Sequence, residues 1–341
     1  MPVIYNQVIN IYSKKATKGS AEQCEKLLKR MEGLAADGNE QVAPDVRTYN
    51  LLLSAYANEN GPKEAEKVLQ ILELHPSLEP NSISYITCMD AYSKIGDCHN
   101  SLRILSLMEK AFGNGNVHAK PTRRAYISAL NSLAKSARGD AGTRAEALVQ
   151  SMERMHKAGD ADLKPDTTVY NTLIQCHKNS AARAEKVLYR MGKRDVVSYS
   201  SVMNIHAKKG GVKAAKRAQE LLNEMQREDV EPNAHAFNSA ITAWSRSGSK
   251  GAAQKAEGLL QRMEELYEAG NTNLQPSSRV YTSVISAWAK SNDPGSALRA
   301  EILLKLMWGL YKRGNESGMS GWVLMWRHYC HSLTYFANDT L

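Results

Sequence analysis

The sequence predicts an all-α protein, a right-handed α-solenoid of about eight helix-turn-helix repeats. Three observations predict it: an aromatic residue opens a short apolar segment eight times, a second apolar segment follows each first one, and the aromatics recur every 29 to 44 residues. Such periods are typical of helical repeat arrays. The eight aromatic residues are Tyr5, Tyr49, Tyr85, Tyr126, Tyr170, Tyr199, Phe237 and Tyr281.

Each aromatic residue begins the buried stripe of a first helix. Apolar or small residues follow it three and four positions later, so all three side chains share one helical face. These pairs are Val8/Ile9, Leu52/Leu53, Cys88/Met89, Ala129/Leu130, Leu173/Ile174, Val202/Met203, Ala240/Ile241 and Val284/Ile285.

The second segment of every repeat has helical spacing as well. It ends at an apolar anchor, with two apolar residues three and four positions earlier and a small residue seven positions earlier. We expect the small residue to let the two helices of a repeat approach closely. The anchors are Met31, Leu72, Met108, Met152, Met191, Met225, Met263 and Met307, and the small residues are Cys24, Ala65, Ser101, Ala145, Ala184, Ala218, Ala256 and Ala300.

Differences in repeat length are expected to fall in turns and not in helices, because the longer stretches are rich in Gly, Asn, Asp and Ser. Six repeats close on a helix-stopping proline just before the next aromatic. These prolines are Pro44, Pro80, Pro121, Pro165, Pro232 and Pro276.

Composition narrows the classes of function. The 341 residues include 44 Lys and Arg against 35 Asp and Glu, a net charge of +9, which suits a polyanionic partner. No stretch approaches the roughly 20 apolar residues that span a bilayer, so no membrane association is predicted. The five cysteines are scattered without a CxxC pair, which argues against a disulfide framework and favours a reducing compartment.

The predicted array covers residues 1–313 with an incomplete last repeat, and residues 314–341 form an unassigned tail. The chain opens without an Arg-rich or apolar leader and without a capping helix, so we expect no targeting peptide here and a fragment or an imperfect gene model. In the tail, His328, Cys330 and His331 superficially resemble metal ligands. No fourth ligand at suitable spacing is nearby, so neither a metal nor a cofactor is predicted.

Several segments resemble pentatricopeptide repeats. The stretches from Tyr49 (YNLLLSAY), Tyr170 (YNTLI) and Phe237 (FNSAITAW) look like first helices of that family, and the Pro-Asp and Pro-Asn joints look like its repeat ends. The resemblance covers about residues 2–313, in repeats longer than the usual family period. It implies binding of single-stranded RNA, one base per repeat, on the face formed by the first helices.

By this resemblance, two residues per repeat read a base: the one just after each aromatic and the one just after the closing proline of the repeat. Asn, Ser and Thr side chains can test the edge of a splayed base, whereas Ile86 and Ile127 cannot hydrogen-bond, so repeats three and four should read weakly. The alternative for each polar residue alone is a helix cap or a turn. The polar members are Asn6, Asp45, Asn50, Asn81, Thr122, Asp166, Asn171, Asp195, Ser200, Asn233, Asn238, Ser277 and Thr282.

The family's pairing rules imply a base order along the chain. With RNA running 5′ to 3′, the first seven repeats should read U, C or U, weak, weak, U, A and C, and Thr282 leans towards a purine.

A cation stands nine residues after the aromatic in six repeats. We predict that stacked repeats align these cations into a track for phosphates; the alternative is a solvated helix end whose cations suit the helix dipole. The six are Lys14, Lys94, Lys135, Lys208, Arg246 and Lys290.

Catalysis is not predicted, since the sequence contains no carboxylate cluster, nucleophile elbow or phosphate loop. The main alternative is a protein-binding scaffold of the tetratricopeptide kind, but a peptide groove has no reason to repeat the polar pairs. An appended nuclease or deaminase domain would not fit in residues 314–341. The resemblance further implies a mitochondrial or chloroplast location, with protein partners in RNA processing.

Overall fold

The computed structural model describes residues 2–15 and 17–315, with side chains as far as residue 309. This described part contains sixteen α-helices and no β-strand. The predicted tail, with His328, Cys330 and His331, lies outside it apart from residues 314 and 315. The helices are α1 (Pro2–Lys15), α2 (Ser20–Ala36), α3 (Val46–Asn58), α4 (Pro62–Glu73), α5 (Ser82–Lys94), α6 (Cys98–Gly113), α7 (Arg123–Lys135), α8 (Ala141–Lys157), α9 (Thr167–Cys176), α10 (Ala181–Arg190), α11 (Val196–Lys209), α12 (Val212–Arg227), α13 (Ala234–Ser245), α14 (Ala252–Glu268), α15 (Ser278–Ala289) and α16 (Ser296–Asn315).

Consecutive helices pair into eight hairpins, which confirms the predicted repeat fold. The odd-numbered helices are the predicted first helices and the even-numbered helices are the second ones. The chain divides into two compact units, a first unit Met1–Gly192 with α1–α10 and a second unit Lys193–Leu341 with α11–α16.

Within each unit the first helices form one layer and the second helices form another. In the first unit α1, α3, α5, α7 and α9 each pack on the next, and every second helix up to α8 lies against the first helices on either side of it. The second unit repeats this arrangement with α11, α13 and α15. The N-termini of neighbouring first helices are therefore brought side by side within a unit.

The predicted stripes form the core. Tyr49, Tyr85, Tyr126, Tyr199, Phe237 and Tyr281 are all buried, as is the small residue of the first seven repeats, from Cys24 to Ala256. Burial raises the pKa of the Cys24 thiol to about 11 and those of Cys88 and Cys176 to about 12, so these thiols are inert packing groups. No helix in the described residues is long and apolar enough to cross a membrane.

The prediction that extra residues fall only in turns was wrong. In four of the longer repeats the second helix continues five residues past its anchor, for example from Met31 to Ala36, and a one-turn 3-10 helix follows. In α4 the helix ends one residue past Leu72. Residues with good helix propensity beyond the anchor extend the helix, and Gly and Asn end it about one turn later.

Within each unit, two rows of hydrogen bonds tie first helices to the second helix before them. The first helix of the second unit, α11, differs, because the phenol of Tyr199 donates to Glu224 and Glu228 at the end of α12. The phenol of the lead tyrosine donates to the glutamate after the preceding anchor, in the pairs Tyr49–Glu32, Tyr85–Glu73, Tyr126–Glu109, Tyr170–Glu153 and Tyr281–Glu264. In the second row the donor is the hydroxyl or indole N–H of the aromatic residue seven positions after the lead aromatic. The acceptor is the residue just after the small residue of the preceding second helix, in the pairs Tyr56–Glu25, Tyr92–Glu66, Trp244–Gln219 and Trp288–Glu257.

Both rows follow matched substitutions. Phe237 has no hydroxyl, and the residue after its preceding anchor is Gln226 instead of glutamate. In repeat four the residue seven positions after the lead aromatic is Leu133, and the residue after the preceding small residue is Leu102, so neither can form the second-row hydrogen bond. Each contact is present only where both partners are polar, so these rows set the register between successive repeats.

Candidate nucleic-acid interface

The residues predicted to close each reading pair all begin a first helix. Asp45, Asn81, Thr122, Asp166, Asp195, Asn233 and Ser277 occupy N-cap positions with extended backbone. Five of these side chains accept a hydrogen bond from a backbone N–H in the first helical turn, and those of Thr122 and Ser277 do not. Five of the seven side chains therefore have the capping role that was weighed as an alternative.

The first predicted pair is in direct contact. The Asn6 amide Nδ2 donates to Asp45 Oδ1 at 3.3 Å, and the Thr48 hydroxyl lies 2.8 Å from Asn6 Oδ1. Asp45 Oδ1 also accepts from the Thr48 backbone N–H at 2.8 Å. The described structure gives Asp45 Oδ2 no hydrogen bond, so this exposed side chain retains a free acceptor.

The second pair repeats this geometry with an amide in place of the carboxylate. Asn50 Nδ2 donates to Asn81 Oδ1 at 3.2 Å, and the Ser84 hydroxyl donates to Asn50 Oδ1 at 2.7 Å. Asn81 Oδ1 caps α5 through the backbone N–H groups of Ile83 and Ser84. Its Nδ2 has no partner among the described residues and is a free donor.

Helix N-termini determine which way these amides point. Backbone N–H groups need an acceptor, so Asn81 must turn its oxygen inward and its NH₂ outward. The Asn50 amide then turns its nitrogen towards Asn81. In the first pair burial raises the pKa of Asp45, but the hydrogen bonds donated by Thr48 and Asn6 outweigh it and leave the pKa below the usual value. Asp45 is thus ionised at neutral pH and can only accept.

Repeats three and four lack this arrangement. Ile86 is buried, Ile127 is half-buried, and Thr122 makes no side-chain cap. Asp166 caps α9 and accepts from Arg123 Nη1 at 3.1 Å, so its outer oxygen is held in an ion pair. The two predicted weak repeats therefore present no hydrogen-bonded reading pair.

The remaining positions differ among themselves. Asn171 is buried on α9, and Asp195 caps α11 in the second unit. The Ser200 hydroxyl donates to Val196 O at 2.6 Å within its own helix, and Asn233 caps α13 through Oδ1. Ser277 is exposed and Thr282 is half-buried. The structure gives no hydrogen bond between Ser200 and Asn233.

Asn238 differs from the asparagines of the first two pairs. Its Oδ1 is buried and accepts no hydrogen bond from the described residues. The neighbouring position that holds a hydroxyl in the first two pairs is Val280 here, which cannot donate.

The six predicted cations are exposed and lie at the C-terminal ends of first helices, with Arg246 and Lys290 at C-caps. At 1.5 Å per residue they stand about 12 Å along the helix axis from the reading positions. Lys94 donates to Ala57 O at 2.9 Å and to Asn58 Oδ1 at 3.0 Å, so it caps α3, the first helix of the preceding repeat. Lys178, one position earlier in its repeat, caps α7 in the same way.

Two groups of residues near the pairs were missed from sequence. Thr48 and Ser84 are the third residues (N3) of α3 and α5, and their hydroxyls contact the reading asparagines. At the second residue of a first helix, one position before N3, Val3, Ile83 and Val197 expose apolar side chains. The sequence signal that could have identified the second group is an apolar residue two positions before the lead aromatic, at a position that does not belong to the buried stripe. In the described residues no cluster of side chains could hold a metal ion.

Three segments of the chain match models of known protein repeats. Models of the PPR repeat match residues 47–74 and 83–111, and a PPR repeat family model matches residues 194–246. A pentatricopeptide repeat-containing protein of Arabidopsis thaliana is 27% identical over 205 residues, 58% of this chain and 33% of that protein. A chloroplastic one is 25% identical over 232 residues, 65% of this chain and 27% of that protein.

Among solved structures, that of the maize pentatricopeptide repeat protein PPR10 in complex with an 18-nt psaJ RNA element is 18% identical, with a TM-score of 0.50. The match covers 93% of this chain and 43% of PPR10, and it supports the fold. These observations define a helical repeat protein. The matches confirm the predicted resemblance to pentatricopeptide repeats, and the chain spans about a third of the length of the curated relatives named above.

Proposed function

We propose that this chain binds single-stranded RNA with sequence selectivity, one base per repeat, and takes part in organellar RNA processing, stability or translation. It acts by binding and not by making or breaking bonds. The observation that carries the proposal is the reading pair, built on a helix N-terminus and left with one outward donor or acceptor. The pairs Asn6–Asp45 and Asn50–Asn81 both have this form.

The outward groups match different bases. Asp45 can only accept, which suits the N3–H of uracil, whereas the Asn81 NH₂ can donate to the ring nitrogen of cytosine. This chemistry agrees with the predicted order of U and then C or U. The exposed Ile83, 57% accessible, offers an apolar surface beside the second pair on which a base face can rest.

The charge distribution supports a nucleic-acid partner. Lys14, Lys135, Lys208, Arg246 and Lys290 are exposed at the far ends of the first helices, and the chain carries a net charge of +9. We assign the phosphate role to these five, and Lys94 is a weaker candidate because its ammonium group caps α3. Exposed cations along a strand bind phosphates independently of sequence.

The relatives support the location and the class of ligand. PPR10 was solved with an RNA element, and similar Arabidopsis proteins are named chloroplastic or mitochondrial. We therefore propose a mitochondrial or chloroplast location, with protein partners in RNA processing.

Selection from a random single-stranded RNA pool, with and without competing duplex DNA, tests the proposal. We expect enrichment of a motif with pyrimidines at the first two positions and at the fifth, and A at the sixth. Purines at the first two positions and the fifth would contradict this register. Failure to enrich any RNA would favour the protein-binding scaffold.

The sixth repeat allows a single-atom test. Asn233 caps α13 through Oδ1, and Asp caps a helix as well as Asn, so Asn233→Asp preserves the fold. It replaces the outward NH₂ by an acceptor, so the preference should move from A towards G by about 1 to 3 kcal/mol. Two oligonucleotides that differ only at that base measure it. Equal A-to-G ratios for parent and variant would show that this residue reads no base.

A further inference from the structure

We infer that the N3 hydroxyls of Thr48 and Ser84 are positioning residues, which hold the amides of Asn6 and Asn50 and thereby set how strictly the first two repeats discriminate bases. This inference rests on the proposed RNA-binding function. The hydroxyls belong to the helix after the reading asparagine, so each reading site uses three side chains from two successive repeats.

Both contacts are buried, and the Thr48 hydroxyl lies 2.8 Å from Asp45 Oδ1 as well as from Asn6 Oδ1, so it bridges the two members of the first pair. Thr48 and Ser84 are fully buried, and their hydroxyl oxygens lie 2.8 Å and 2.7 Å from Asn6 Oδ1 and Asn50 Oδ1. A primary amide held at its nitrogen alone can still rotate about its last side-chain torsion. Held also at its oxygen, it has one orientation, with one N–H and one oxygen lone pair left to meet a base.

The hydroxyl of Ser84 has a single proton, and the distances indicate where it goes. Ser84 Oγ is 2.7 Å from Asn50 Oδ1 and 3.2 Å from Asn81 Oδ1, so the shorter contact is the one to the reading asparagine. The same oxygen accepts the backbone N–H of Asn81 at 3.2 Å. Ser84 therefore does more than close the helix cap.

Repeats three, four and six provide natural contrasts. Where the first residue of the pair is Ile86 or Ile127, the N3 position is the buried Ala125 or Val169, without a hydroxyl. Ser200 needs no such partner, because its hydroxyl is held by Val196 O.

Asn238 has an amide oxygen but no hydroxyl to hold it. Its N3 neighbour is Val280, which is 1% exposed, and Asn238 Oδ1 is buried without a hydrogen bond from the described residues. The seventh repeat should therefore discriminate less strictly than the second, although both begin with Asn.

The test compares Ser84→Ala with the conservative Ser84→Thr in the full chain, on oligonucleotides that differ only at the nucleotide of the second repeat. Ser84→Ala should reduce the ratio of pyrimidine to purine affinity about fivefold to tenfold, the scale of one hydrogen bond, and Ser84→Thr should retain it. Discrimination at the first repeat is the internal control and should not change. Val280→Thr should raise discrimination at the seventh repeat by a similar factor.

The outcomes separate the two proposals. If Ser84→Ala weakens binding of all sequences alike and keeps the ratio, Ser84 is only a structural cap and the positioning role is overturned, while RNA binding stands. If Val280→Thr leaves the seventh ratio unchanged, the role fails as a general one. If the parent chain binds no RNA, the proposed function fails and this inference fails with it.

Discussion

The first two repeats and the next two share one scaffold but differ in their polar layer. In both regions first helices stack N-terminus beside N-terminus, over second helices of the same kind. Repeats one and two add an asparagine, a cap and a hydroxyl at this junction, as in Asn50, Asn81 and Ser84, whereas repeat three has Ile86, Thr122 and Ala125. The difference shows that helix packing does not require the polar triad.

Transplanting the triad is the strongest way to break this contrast. The triple variant Ile86→Asn, Thr122→Asn and Ala125→Ser should give repeat three a discriminating pair, worth about 1 to 3 kcal/mol between pyrimidine and purine. Binding to two oligonucleotides that differ at the third nucleotide measures it. Ile86→Asn alone is the matched control, because its amide lacks the hydroxyl. An unchanged ratio in the triple variant would mean that the triad does not read bases.

The middle repeats also differ in their packing around His177, which stands where Tyr56 and Tyr92 stand in the earlier repeats. A Cβ at Gly142 would overlap the His177 ring, with Cε1 only 2.7 Å away. Gly142→Ala should therefore lower the free energy of unfolding by about 1 to 3 kcal/mol, a typical cost of overpacking.

Chemical denaturation measures this cost, and the double variant with His177→Ala is its control. The second substitution removes the ring that the new methyl group would meet. If the double variant loses as much stability as the sum of the two single variants, the overlap with the ring is not the cause.

Removing cations tests whether the far ends of the first helices hold phosphates in both units. Changing Lys135, Lys208 and Arg246 together to Gln should weaken all RNAs alike and flatten the log–log salt dependence by about 0.7 for each phosphate that is no longer neutralised. Lys94→Gln is the informative comparison, because Lys94 caps α3 and should lower stability more than it changes the slope. An unchanged slope in the triple variant would leave these cations as solvated helix ends.

The smallest expected effect is a pH dependence confined to the middle repeats. Burial lowers the pKa of His177, and the positive charge of Arg183 lowers it further. The carboxylate of Glu146, with Oε1 2.9 Å from His177 Nε2, raises the pKa and offsets part of this decrease. Below the unfolded value of about 6.5 the unfolded chain binds a proton that the folded chain resists, so the free energy of unfolding should fall as pH decreases.

His177→Leu should remove this part of the pH dependence. Denaturation of parent and variant between about pH 7.5 and 5.5 checks it, and parallel curves would exclude His177 as the source.

Much of the architecture could be predicted because local rules and packing agree in it. An aromatic residue, an apolar pair and a small residue recur eight times at helical spacing, and each stripe can be buried only against a neighbouring helix. The length of the second helices was predicted less well, since α2, α6, α8 and α14 continue past their anchors on propensity that the apolar pattern does not record. The contact partners of Lys94 depend on another repeat and could not be predicted.

The sequence by itself determined the repeat, its hairpin form and the residues at the start of each first helix, because these follow from periodicity and from the chemistry of N-caps. Only the tertiary structure decided which side chains meet across repeats. Asn50 lies 31 residues from Asn81 and 34 from Ser84, and the packing of α3 on α5 brings all three together. The direction of each amide is likewise a tertiary property, since it depends on a helix N-terminus supplied by the next repeat.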